Sequence, residues 1–221
     1  MIKKEVFKTT IKEEKTLNYL IDFPDDYEAS SSKQFPLLLF LHGMGERGEN
    51  LDLLYNNGIP KLISEGMKFP FITVMPQCPE TSFWTEESKS LKLLLDSIIE
   101  HHNVDIDRIY ITGLSMGGYG TYEMLTRYPD LFAAAVPICG GIGSMYTRMN
   151  LLQLKDTPLW IFHGKIDDVV PVKESENIYE ALASIGAENL FITIYPDLKH
   201  DSWSRTYDNH EVYDFLLKHS K

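Results

Sequence analysis

Residues 109–120 read IYITGLSMGGYG, and this stretch decides how the chain folds. A short apolar run with no polar alternation passes, without an intervening loop, into a serine flanked by glycines. Runs of that kind suit strands covered on both faces. Gly113-Leu114-Ser115-Met116-Gly117 fits G-x-S-x-G, a strand-to-helix turn so tight that the serine backbone is strained. The flanking glycines are needed where a Cβ would strike the neighbouring strand or helix. Gly117, Gly118 and Gly120 leave the following helix bare enough to pack on a sheet. The corner puts the Ser115 hydroxyl at a helix N-terminus, where unpaired N–H groups favour developing negative charge.

Working outward, the same unalternating pattern recurs in PLLLFLHG, FPFITVMP, FAAAVPIC, PLWIFHG and LFITIYP. Between these runs lie segments of helical period. Over residues 86–102 the apolar set is Leu91, Leu94, Leu95 and Ile98. Over 174–185 it is Ile178, Ala181, Leu182 and Ile185, with Gly186 placed to end the helix. A last helix over 209–219 buries Val212, Phe215 and Leu216. Strands alternating with helices predict a mostly parallel α/β sheet. Two strand-like stretches, 6–11 and 17–23, predict antiparallel strands at its N-terminal edge, and 29–34 (ASSSKQ) reads as an exposed hairpin loop. No repeat or linker divides the chain, so residues 1–221 read as one domain.

Composition narrows the function. A net charge of -11 argues against nucleic acid or an anionic membrane surface as partner and disfavours strongly anionic substrates. The two cysteines, Cys78 and Cys139, lack metal-ligand spacing and read as buried free thiols. The N-terminus, MIKKEVFKTTIKEEK, lacks the apolar centre of a signal peptide, and no run approaches transmembrane length. A cytoplasmic location is the expectation.

In open α/β sheets, ligands bind beyond the carboxyl ends of the strands. Besides Ser115, three such ends carry reactive side chains: HGMGERG at 42–48, HGKIDDVVP at 163–171 and DLKHDSW at 197–203. A serine at its free pKa is a poor nucleophile; it needs a base, and the base needs an orienting carboxylate. In this fold class the chain order is Ser, Asp/Glu, His. His200, in a polar loop after a late strand, is the candidate base. His101 and His102 end a helix, and His210 and His219 belong to the last one. His42 and His163 precede glycines at strand ends, where a ring bonds loop backbone. Asp167 and Asp168 both stand where the acid belongs, and Asp197 is a third candidate on the wrong side of the chain order. Donors for an oxyanion are expected from the backbone N–H groups of Met116 and of Met44, whose loop Gly43 and Gly45 allow to bend.

Taken together, LHGMGERG, MPQCPE, DRIYITGLSMGGYGTY, FAAAVPICGG, FHGKIDDVVPV and HDSW resemble the α/β-hydrolase superfamily from about residue 35 onward. They are most similar to its phospholipase/carboxylesterase, dienelactone-hydrolase-like branch. The resemblance implies an α/β-hydrolase fold: a mostly parallel central sheet with helices on both faces, antiparallel N-terminal strands and no large cap domain. In the family's H-G-x-x-D-x-x-V-P pattern the acid follows the histidine by four, so the resemblance implies Ser115, Asp167 and His200 as the triad. Residues 140–157 leave too little chain for a large cap, which predicts an open cleft. Trp84, Trp203, Gly140 and Gly141, with Cys139, are expected to wall it; aromatic walls suit planar or short acyl groups. The expected activity is hydrolysis of a small-molecule ester, acetyl or cinnamoyl-type, without metal or cofactor. The alternatives are an acyl-protein or lysophospholipid thioesterase-like hydrolase and a small serine peptidase. A non-catalytic binder on the same scaffold would be expected to lack a triad member. Oligomeric state is not set by these residues.

Overall fold

The computed structural model describes residues 3–9 and 14–221. Each unalternating run forms a strand: β2 (Phe35–Leu41), β3 (Ile72–Pro76), β4 (Val104–Leu114), β5 (Ala134–Ile138), β6 (Leu159–Gly164) and β7 (Leu190–Tyr195). These six pair in parallel, and β1 (Tyr19–Asp22) adds to the β3 edge antiparallel, giving the order β1-β3-β2-β4-β5-β6-β7. The topology and its helical layers are those of an α/β-hydrolase fold.

The reason for the continuous apolar runs is visible in β2, every residue of which is buried. Its alternate side chains serve two cores. Leu37, Leu39 and Leu41 join the cluster under α2 (Ser88–His101), α3 (Met116–Arg127) and α5 (Lys173–Ser184). Leu38 and Phe40 join the cluster under α1 (Gly58–Ser64), α6 (Trp203–Tyr207) and α7 (His210–Leu217). A strand with helices on both faces has no solvent side on which to place polar residues.

Two expectations at the N-terminal end change. β1 and β2 are not neighbours, because β3 lies between them; residues 29–34 are an exposed connection and not a hairpin loop. The fully buried β2 needs partners on both edges and takes an inner position, whereas the half-exposed β1 suits the rim. Of the expected strand at 6–11, residues 6–9 form none: Val6 and Phe7 are exposed, with no core to face. Residues 10 and 11 lie outside the described residues. β1 is therefore the antiparallel N-terminal strand. Among the described residues no helix is long and apolar enough to cross a membrane. Both cysteines are free and buried.

Between β5 and β6 the chain forms only α4 (Met145–Asn150) and a 3-10 turn, Leu151–Asp156. Ser144 caps α4, accepting from the Thr147 N–H, and its hydroxyl donates to the buried Glu123 of α3. That contact ties the short segment to the helix carrying Ser115 at its N-terminus.

Candidate active site

The turn from β4 into α3 is built as its glycines require. A Cβ on Gly117 would lie 1.9 Å from the Leu41 carbonyl oxygen of β2, and one on Gly113 would lie 2.4 Å from the Gly117 oxygen. Ser115 sits at φ 52°, ψ -116°, a conformation that costs on the order of 1–3 kcal/mol and persists only where the surroundings impose it. Here the Ser115 N–H donates to the Ile138 carbonyl of β5, and its own carbonyl accepts the first bond of α3, from Tyr119.

The segments that follow three strands, β4, β6 and β7, converge here. His200 Nε2 lies 2.9 Å from Ser115 Oγ, and His200 Nδ1 lies 2.8 Å from Asp167 Oδ2. Since the carboxylate can only accept, Nδ1 carries the proton and Nε2 is free to take one from the serine. The side chain of Asp167 is fully buried, while His200 keeps 18% of its side chain exposed. The other carboxylate oxygen of Asp167 accepts the N–H groups of Val169 and Val170, each at 2.9 Å. Burial would raise the Asp167 pKa, but the His200 bond and the two backbone donors outweigh it and hold the carboxyl below its usual value. The loops that carry Asp167 and His200 touch directly at Gly164, where a Cβ would sit 2.1 Å from the Lys199 carbonyl oxygen.

The competing acids are elsewhere. Asp168 is on the surface, paired with Lys199 at 2.9 Å, and Asp197 is bridged by both terminal nitrogens of Arg205. His42 and His163 are buried with both ring nitrogens engaged. His42 Nε2 accepts from the Cys78 N–H, so its Nδ1 donates to the Gly43 carbonyl; burial pushes its pKa down to about 4. His163 Nδ1 meets Ser175 Oγ at 2.7 Å, and its Nε2 donates to the Val170 carbonyl while lying 3.1 Å from Asp167. It thus braces the acid loop from beneath.

Met44 opens a 3-10 turn, Met44–Glu46, and Met116 opens α3. The first N–H groups of such turns have no partner within the helix. Both residues line one cleft with Ser115, of about 490 Å³, together with Phe83, Thr85, Glu86, Tyr119, Gly143, Val169 and Val170.

The cleft wall matches the expected one at Trp84 and differs from it elsewhere. Gly140 and Gly141 do not line it: a Cβ on Gly140 would lie 2.5 Å from the Gly118 carbonyl carbon, and one on Gly141 would meet Glu174 and Tyr119. Both are buried, Gly140 by the backbone of α3 and Gly141 by the side chains of Glu174 and Tyr119, and Cys139, also buried, has its thiol pKa pushed up to about 12. Trp84 reaches the cleft floor but is 0% exposed, its indole N–H donating to the His42 carbonyl. Trp203 stands edge-on to the His200 ring at 5.3 Å. Of the side chains that line the opening, Tyr119 and Val169 lie within quoted motifs, whereas Phe83, Thr85 and Glu86 follow MPQCPE outside them, and none carries a residue-type signal of its own.

Among the described residues, one group of possible metal donors exists: Cys139, Asp167 and His200, with donor atoms within 4.8 Å of one another. Two of the three are already committed to each other by the 2.8 Å bond.

Comparison with known proteins supplies a family. The phospholipase/carboxylesterase family matches residues 54–220. Poly(3-hydroxyalkanoate) depolymerase C of Paucimonas lemoignei is 46% identical over 64 residues, 29% of this chain and 16% of the depolymerase. The bifunctional acetylxylan esterase/xylanase XynS20E of Neocallimastix patriciarum is 28% identical over 64% of this chain and 20% of its own length. This chain therefore spans well under two thirds of both of those relatives. Acyl-protein thioesterase 1 homolog 2 of Dictyostelium discoideum is 26% identical over 86% of this chain and 95% of its own. Among solved structures, a thermostable esterase superposes with a TM-score of 0.77 at 32% identity, covering 93% of this chain and 60% of the other.

Proposed function

Because the chain belongs to the phospholipase/carboxylesterase family, we propose that it is a serine ester hydrolase with Ser115 as nucleophile, His200 as general base and Asp167 as the orienting acid. The observation that carries this reading is the continuous relay from Ser115 Oγ through His200 to Asp167, with bonds of 2.9 and 2.8 Å. Ser115 Oγ attacks the acyl carbonyl as its proton passes to His200 Nε2. The carbonyl oxygen becomes an anion held by the Met44 and Met116 N–H groups. Collapse breaks the ester C–O bond, and His200 returns the proton to the leaving alcohol. Water, deprotonated by the same imidazole, then attacks the acyl-enzyme and frees the acid and the serine. Asp167 holds the tautomer and stabilises the transient imidazolium without taking its proton.

The cleft supports a reading of the substrate class. It is open, bounded on one side by the short segment between β5 and β6, and lined by Met44, Phe83, Tyr119 and Val169. Such a surface suits a short or planar acyl group, acetyl or cinnamoyl-type. The carboxylate of Glu86 at the rim, together with the net charge of -11, disfavours anionic esters. The near-full-length similarity to an acyl-protein thioesterase favours a second reading, thioester deacylation, by the same steps with a thiol leaving group. A panel of p-nitrophenyl esters of increasing chain length, methyl ferulate, an acetylated sugar and an acyl thioester tests both. Turnover concentrated on acetyl and aryl esters supports the first reading, and preference for long-chain thioesters supports the second. Failure of a fluorophosphonate to label Ser115 would reject both.

A further inference from the structure

Glu46 is an unusual neighbour for an oxyanion site. It lies in the same 3-10 turn as Met44, its side chain is 7% exposed, and its Oε2 would lie 3.2 Å from a Cβ on Gly43. Among the described residues no Lys or Arg nitrogen lies within 4.0 Å of it; its ion-pair neighbour is His42, at 3.8 Å, whose Nδ1 proton is directed at the Gly43 carbonyl. A buried carboxylate needs a strong donor. The donor is the side-chain amide of Asn57, whose Nδ2 lies 2.6 Å from Glu46 Oε1. Asn57 uses its other end as well: Oδ1 accepts the indole N–H of Trp203 at 3.3 Å, and the Trp203 ring meets the His200 imidazole edge-on. One amide thus spans the loop that presents the Met44 N–H and the helix behind the base.

The surroundings fix that amide in place. Gly58 follows it at φ +65°, with the Phe40 ring 2.5 Å from where its Cβ would be, so the chain after Asn57 packs closely on β2. Gln77 Nε2 donates to the Glu46 and Asn50 carbonyls, which pins the donor loop from the other side. On the outer side Arg47 donates to the Met44 and Ser82 carbonyls and stacks over Phe83, joining the donor loop to the cleft wall.

We infer that Asn57 is a positioning residue that sets the distance between the Met44 oxyanion donor and the His200 base, acting through Glu46 on one side and Trp203 on the other. The inference rests on the ester-hydrolase reading above. Both groups act on one tetrahedral centre, Met44 on its oxygen and His200 on the attacking and leaving oxygens. A small change in their separation weakens transition-state binding while leaving the ground-state ester in place.

The test compares Asn57→Ala, Glu46→Gln, Trp203→Phe and the Glu46→Gln/Trp203→Phe double variant, with and without Asn57→Ala. The readouts are kcat and KM on p-nitrophenyl acetate, the rate of Ser115 labelling by a fluorophosphonate, and thermal midpoints. Asn57→Ala should lower kcat roughly tenfold with KM within about twofold, less than the ~10²–10³ lost when a donor is removed outright. Labelling should slow in parallel. The two flanking substitutions should be non-additive in the wild-type background and add nothing once Asn57 is gone. A lowered thermal midpoint with unchanged kcat, or flanking effects that multiply independently, overturns the inference. If Asn57→Ala does not fold, the Glu46→Gln/Trp203→Phe cycle decides by the same criterion. A wild-type protein that fails to label at Ser115 removes the ester-hydrolase reading and this inference with it; normal wild-type labelling with an unaltered Asn57→Ala removes this inference alone.

Discussion

The loops that leave β6 and β5 follow neighbouring strands, and both pack beside the Ser115 turn, yet they are built differently. After β6 the chain places a carboxylate, Asp167, in full burial and bonds both of its oxygens: two backbone N–H groups on one, His200 on the other. After β5 it places Cys139 at φ 40°, then Gly140, and fills the space with the backbone of α3. The first loop holds a charge; the second lets two main chains touch. A glycine pair at a strand tip is thus as good a sign of close packing as of an open pocket, whereas a buried acid with both oxygens hydrogen-bonded is there for its charge.

That contrast can be broken most severely at the hydroxyl both loops surround. Ser115→Ala should lower kcat/KM on p-nitrophenyl acetate by about 10⁴–10⁶-fold with the thermal midpoint preserved or raised, since alanine keeps the shape of the turn. Retained turnover would remove Ser115 from the chemistry.

Within the β6 loop, Asp167→Asn should cost about 10³–10⁴ in kcat by favouring the wrong His200 tautomer, whereas Asp168→Asn, which loses only an exposed pair with Lys199, should stay within about twofold. Equal losses would mean that burial does not select the acid.

For the β5 loop the expected signature is stability. Gly140→Ala drives a methyl to 2.5 Å from the Gly118 carbonyl carbon and should cost about 1–3 kcal/mol in urea unfolding. A variant of full stability and altered substrate preference would return Gly140 to the cleft wall.

The smallest effect is on pH dependence. The folded-state pKa of Asp167 lies below its unfolded value, so its contribution to stability is complete above the unfolded pKa of about 3.9 and is lost as pH falls through the folded one. Wild type should therefore lose more stability than Asp167→Asn below about pH 4, read as urea midpoints across that range. Parallel curves would mean that the bonds to Asp167 do not favour its charged form.

Much of this was legible from one dimension. The runs around Leu37, Val74, Ile111, Val136 and Ile161 announce strands because a residue pair in a doubly covered sheet has no solvent side, and the pattern is local. Leu91, Leu95 and Ile98 announce α2 for the same reason at the other period. Ser115 is legible because its turn needs glycine at both flanks, a steric demand that writes itself into five consecutive residues. The acid was narrower: spacing left Asp167 and Asp168 both open, and the family pattern chose between them.

What the chain order could not give is which loops meet. Gly140 carries the same letter whether it lines a cleft or packs beneath one, and the difference lies in α3, which approaches from elsewhere in the sequence. Asn57 is the extreme case. In sequence it is a turn residue before a glycine, 11 positions from Glu46 and 146 from Trp203. Local periodicity and turn sterics fixed the strands, the helices and the serine corner. Only the folded chain decided what surrounds them, because burial and hydrogen-bond partnership belong to long-range neighbours.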